Sequence, residues 1–199
     1  FSDGSFVSIS QLREFMSLKQ FDLSGSSFEL RDTSTNILGL LKSDASDKSA
    51  ILNAAEGLKL TDSSATTFSV DDVSLLLSIN VAMPNGYNVS DIASEIQGEV
   101  ASASDIGALA AAKAVTVTDS NALTLSVDEY EAIADSNTQL TATHKIVDDA
   151  AAIQGKVSAT VIAGASSIDV QSGVVDLSLS QFSSLGQKFT DKADISITE

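Results

Sequence analysis

The sequence contains no cysteine, no tryptophan and a single proline in 199 residues. Without Cys, disulfides, thiolate metal sites and cysteine nucleophiles are excluded together. Aromatic residues make up only 5% of the chain, so large rigid rings cannot dominate the interior. Basic residues are scarce as well: 11 Lys and Arg stand against 27 Asp and Glu, a net charge of −16 and a pI near 4.1. That balance repels polyanions, which excludes nucleic acid as a partner and disfavours an anionic membrane surface. No run of about 18 apolar residues occurs, so no membrane insertion is expected. The chain opens Phe1-Ser2-Asp3-Gly4 with neither an initiator Met nor the basic and apolar regions of a signal peptide, and reads as an interior slice of a longer polypeptide.

What is present is 43% hydrophobic residues, mostly Ala, Val, Leu and Ile. This is enough to build a sizeable core, and it argues against disorder. The small aliphatic composition suits repeated thin layers, so internal repetition is the first thing to test. Residues 58–73 (LKLTDSSATTFSVDDV) align without gaps on 115–130 (VTVTDSNALTLSVDEY), with eight of sixteen positions identical. Residues 89–100 (VSDIASEIQGEV) align on 146–157 (IVDDAAAIQGKV), with six of twelve identical. Both alignments have the same offset, 57 residues. A shortened third copy of the first block follows at 168–182, and a partial copy stands at 3–12.

Two strand-like segments fall in each 57-residue unit. They lie at Phe28–Arg31, Leu58–Thr61, Tyr87–Ser90, Val115–Thr118, Lys145–Val147, Ile168–Val170 and Ile195–Ile197, spaced 23 to 30 residues apart. That is the length of one solenoid coil. The expected fold is therefore α/β: a single repeat solenoid of about seven strand–helix coils, of roughly 28 residues each, paired in the 57-residue unit. Its coils are placed at 1–26, 27–57, 58–86, 87–114, 115–143, 144–167 and 168–193, with 194–199 incomplete. Strands joined through helices run parallel, so one sheet with a strand spacing of about 4.8 Å and a length of roughly 30 Å is predicted.

Several strands end on Asp: Asp32, Asp62, Asp91, Asp119 and Asp148. A carboxylate there suits the free N–H groups and positive end of a helix or turn. Helical spacing follows at Ile92, Ile96 and Val100, at Ala152, Ile153 and Val157, and across the Ala-rich stretch from Ile106 to Ala114. Ser126-Val127-Asp128-Glu129 matches a capping box, with Tyr130 and Ile133 on the buried stripe. Ser69-Val70-Asp71-Asp72 keeps the cap, with Val73 and Leu76 behind it, and Ser10-Gln11 and Ser180-Gln181 mark two further helix starts. Met83-Pro84-Asn85-Gly86 falls where the period requires a loop.

The pieces Val115-Thr116-Val117-Thr118-Asp119, Tyr87-Asn88-Val89-Ser90-Asp91 and Asp148-Asp149-Ala150-Ala151-Ala152-Ile153 resemble repeats of very large bacterial surface and secreted proteins, known from cyanobacteria and proteobacteria. The resemblance spans nearly the whole chain. It implies an extracellular, cell-surface protein of the adhesin, surface-layer or filament type, often exported by a type I system. Such proteins often also carry a calcium-binding nonapeptide, GGxGxDxUx, which this sequence lacks.

The chemistry-bearing residues admit two readings. Stacked coils would place Asp62, Asp91, Asp119 and Asp148 in ladders that Ca²⁺ could bridge, making calcium the one cofactor expectation; solvated helix or turn caps account for the same residues. The carboxylate pairs Asp71-Asp72, Asp128-Glu129 and Asp148-Asp149 have the residue types of glycoside hydrolysis, but they recur with the helix starts, whereas an active site occurs once. The lone His144 lacks a second His or Cys for a metal site, and no nucleophile elbow accompanies it. The expectation is a structural or adhesive repeat protein, not an enzyme, self-associating through terminal strands or lateral faces, with a glycan or cell-surface ligand. A passive spacer in a giant type I-secreted adhesin and a polysaccharide-processing β-solenoid are the alternatives.

Overall fold

A computed structural model of the chain describes residues 6–18, 23, 28–101, 106–134 and 139–198. Residues 3–5 of the partial repeat and Glu199 of the incomplete last coil lie outside these. The chain is a mixed α/β protein that divides into two compact units, Phe1–Asn88 and Val89–Glu199.

In the first unit the order is β1 (Phe6–Val7), α1 (Ile9–Ser17), β2 (Phe28–Asp32), α2 (Ser34–Lys42), α3 (Lys48–Ala54), β3 (Ala55–Leu60), β4 (Thr66–Phe68) and α4 (Val70–Ser78). β1, β2 and β3 form a parallel sheet in which Val7 opposes Leu30 and Leu30 opposes Leu58. Ala82 extends it beside Lys59. β2 alternates buried and half-exposed positions and turns Phe28 and Leu30 inward; Leu12, Ile37, Leu40 and Ile51 of the helices are likewise fully buried. Each such side chain removed from water contributes about 1.5–3 kcal/mol.

β5 (Tyr87–Asp91) carries the chain into the second unit. There follow α5 (Ala93–Ala101), α6 (Gly107–Ala110), β6 (Ala114–Val117), β7 (Leu123–Leu125), α7 (Val127–Ala134), β8 (Gln139–Leu140), β9 (His144–Asp148), α8 (Ala150–Gly155), α9 (Thr160–Gly164), β10 (Ser167–Val170), β11 (Val175–Ser178), α10 (Leu179–Leu185) and β12 (Ile195–Thr198). β5 pairs with β6 and β6 with β8; β7 pairs with β9 and β9 with β10; β11 pairs with β12, every pairing parallel.

All seven expected strands form, but not as one sheet of seven. The short strands β1, β4, β7 and β11, which are not among the seven expected strands, start new parallel sheets of two to four strands. The repeating plan is thus strand, helix, strand, two helices, strand: β1 to β3, β4 to β6 and β7 to β10, the last with the extra two-residue strand β8 between α7 and β9, and a half copy from β11 to β12. The second helix of each plan is short, and the stretch from Ile106 to Ala114 is helical only over Gly107–Ala110 before β6 begins. Splitting the sheets has a local cause: Ser8, Ser69, Ser126 and Ser178 follow the short strands and cap α1, α4, α7 and α10, which ends extended backbone after two to four residues. The Ser126–Glu129 box forms as expected, with Ser126 N–H donating to Glu129 at 2.7 Å. The outer two caps are Ser8 and Ser178, two residues before the expected Ser10 and Ser180, and both make reciprocal boxes with Gln11 and Gln181.

Candidate functional site

The recurring feature is a set of acidic caps. Asp32 accepts hydrogen bonds from Thr33 N–H at 2.8 Å, from the Asn36 side chain at 2.7 Å and from Ile9 N–H, the first residue of α1, at 3.0 Å. Asp148 repeats this: one oxygen accepts Asp149 N–H at 2.8 Å, the other accepts Val127 N–H, the first residue of α7, at 3.0 Å. Asp62 accepts Ser34 N–H at 2.8 Å and the Ser34 hydroxyl at 3.1 Å, at the start of α2. Asp119 accepts Ala93 N–H, at the start of α5, at 3.0 Å and the Asn121 side chain at 2.6 Å. Asp91 accepts Ile92 N–H at 2.9 Å.

Asp32, Asp62, Asp119 and Asp148 each accept from the first N–H of a helix, but the four helices that receive them are not the ones that follow. Each Asp closes the helix of the preceding strand–helix segment, 21 to 28 residues back. The following helices have caps of their own, such as Thr33 on α2 and Asp149 on α8. The reason is parallel stacking: a strand that lies beside its predecessor ends beside the helix start that its predecessor feeds. Backbone bonds continue the same bridge, with Thr61 N–H donating to Asp32 O, Thr118 N–H to Asp91 O and Gln171 N–H to Asp148 O.

After β10 the Asp is missing, and Ser172 stands in the equivalent place. Its backbone carbonyl accepts Ala150 N–H, at the start of α8, at 2.8 Å. Gly173 makes this turn feasible: its φ is +84°, and a Cβ there would lie 2.9 Å from that of Ala150. No acidic side chain marks this cap, and Ser-Gly was the only signal available for it.

A charge near helix N–H groups should remain ionised. At Asp119, burial opposes the charge, but hydrogen bonds from Ala93, the Asn121 side chain and the local backbone outweigh it and hold the carboxyl below its ordinary value of 3.8.

The other acidic pairs also sit in helix first turns. Asp72 lies three residues into α4 and pairs with Lys42, Glu129 closes its box, and Asp149 caps α8. Among the described residues no group of three or more His, Asp or Glu side chains converges as a metal site. His144 lies in the core, 5% exposed, where Phe28 and Tyr87 lie in the two earlier copies of the same strand. Its Nε2 is 3.2 Å from Val161 O, and its ring is 4.7 Å from that of Tyr130. A carbonyl oxygen only accepts, so Nε2 carries the proton.

Concavities open on the surface of each unit among the described residues. A groove of about 530 Å³ in the first unit is lined by Ile9, Arg13, Asn36, Gly39 and Leu40, and a cleft of about 400 Å³ in the second by Asp149, Ala150, Gln154, Gly173 and Asp176. No helix among the described residues is long and apolar enough to cross a membrane. Comparison with protein-family models, with curated proteins and with solved structures finds no match to this chain.

Proposed function

We propose that this chain is a structural and adhesive repeat region of an extracellular bacterial surface protein, built as a strand–helix solenoid and without a catalytic role. One observation carries the reading: the acidic residues that recur in the sequence tie each segment to the one before it. A reaction centre is needed once, whereas a tie between segments is needed at every segment. The excess of acid over base favours solubility at a crowded surface, and the bacterial surface repeats that the sequence resembles share the alternation of strand and Ala-rich helix.

Copies associate through strand edges in this reading. Electron microscopy of purified protein at rising concentration tests the proposal, with ordered filaments or lateral arrays expected. Strictly monomeric scattering at high concentration would sink the assembly, and turnover of a polysaccharide would sink the non-catalytic role.

A further inference from the structure

Seven Asn residues occur in the chain, and only Asn85 is followed by Gly. Gly86 has no Cβ to obstruct approach of its backbone nitrogen to the Asn85 side chain. The dipeptide closes the turn Met83–Gly86, and Asn85 is exposed. Both groups that would react are held: Gly86 N–H donates to Met83 O at 2.9 Å, and Asn85 Nδ2 donates to Asp62 O at 2.5 Å.

We propose that Asn85 is a site of spontaneous covalent modification that the native turn holds in check. In the step itself the deprotonated Gly86 nitrogen attacks Cγ of Asn85, the bond from Cγ to the side-chain nitrogen breaks, and ammonia leaves with that proton. Water then opens the cyclic imide at either carbonyl, leaving aspartate or an isoaspartyl linkage. No oxidant, reductant or cofactor is required.

The product cannot restore the bond to Asp62. An aspartate oxygen would face the Asp62 carbonyl, acceptor against acceptor, where the amide donated. An isoaspartyl linkage would add a methylene to the backbone two residues before Tyr87, a core residue. Each modification therefore fixes an opening that was transient, and the site records how often this turn opens.

The test holds the full chain in mildly alkaline buffer, native and in denaturant, and follows ammonia release and the amide-to-acid mass change in the peptide spanning residues 83–86. Native protein should modify at least about tenfold more slowly than unfolded chain, the ratio set by the turn's opening equilibrium. Pro84→Ala, which frees the turn, should raise the native rate, and Asn85→Gln should give no acid at that position. Urea below the global transition should also raise the native rate, which keeps the test decisive if Pro84→Ala unfolds the protein. Equal rates in native and unfolded chains would overturn the lock, and an unfolded chain that keeps its Asn85 amide would overturn the site.

Discussion

Six residues past the Asp that ends a strand, the second unit places Gln97 and Gln154, where the first places Leu38. Gln97 accepts the Thr124 N–H of β7 at 2.9 Å, and Gln154 accepts the Asp176 N–H of β11 at 2.7 Å, so in the second unit each first-turn helix also holds the outward backbone of a short strand. Leu38 has no acceptor to offer. The inward aromatic differs too: Phe28 and Tyr87 belong to the first unit and His144 to the second. Ion pairs join segments in both units, Arg13–Asp47 and Lys42–Asp72 in the first and Lys156–Glu131 in the second. The comparison teaches that the repeat specifies roles more tightly than residues. A helix start needs an acceptor, and Asp, or a bare carbonyl at Ser172, will serve.

The matched caps provide the largest test. Asp32 is 8% exposed and accepts three hydrogen bonds, so Asp32→Ala should cost about 2–3 kcal/mol, because it leaves the buried Ile9 N–H unpaired and removes two further bonds. Its counterpart Asp148→Ala, with two bonds, should cost about 1–2 kcal/mol. Urea denaturation of both variants measures the difference, and equal losses would break the claim that burial separates the units here.

Exchanging the third role comes next. Gln97→Leu and Gln154→Leu, which give the second unit the first unit's residue, should each lose about 1 kcal/mol of urea stability, the net worth of a hydrogen bond. Unchanged midpoints would show the Gln bridges to be idle. The helices of both units also share a glycine at one register, Gly39, Gly98 and Gly155, with open space where each Cβ would stand. Alanine at each should raise the thermal midpoint through a gain of about 0.5–1 kcal/mol, and a loss at any one would show that something approaches that helix face.

Smaller still is the acid response. Because Asp119 titrates lower in the folded chain than in the unfolded one, its contribution is present above the unfolded value near 3.8 and is lost as pH falls through the lower folded value. Asp119→Asn should flatten the urea midpoint against pH in that window, lowering it near neutrality, where the contribution is present, and changing it least at the acid end. The smallest expected effect is none: with Asp62, Asp119 and Asp148 already bound to N–H groups, chelating calcium should leave the thermal midpoint unmoved. A fall on chelation would establish the calcium ladder instead.

Much of this arrangement was legible from residues. Asp at strand ends, Ser ahead of apolar helix stripes and the 57-residue offset all act through nearest neighbours or through a fixed spacing, and each marks its element. The short strands were not legible, because Thr66-Thr67-Phe68 and Leu123-Thr124-Leu125 are too brief to show a period and take their extended form from a neighbouring strand. The Ser172 cap was hidden for a related reason: a backbone carbonyl leaves no trace in side-chain identity.

The sequence by itself determined the alternation of strand and helix, the repeat length, the acidic caps and the small aliphatic core, since local propensity and periodicity set all of these. Only the tertiary structure decided which helix each Asp closes, where one sheet ends and the next begins, and that His144 takes an aromatic core position. Those outcomes depend on contacts between residues some 20 to 30 positions apart, and a composition or a spacing does not say which neighbour a side chain will meet.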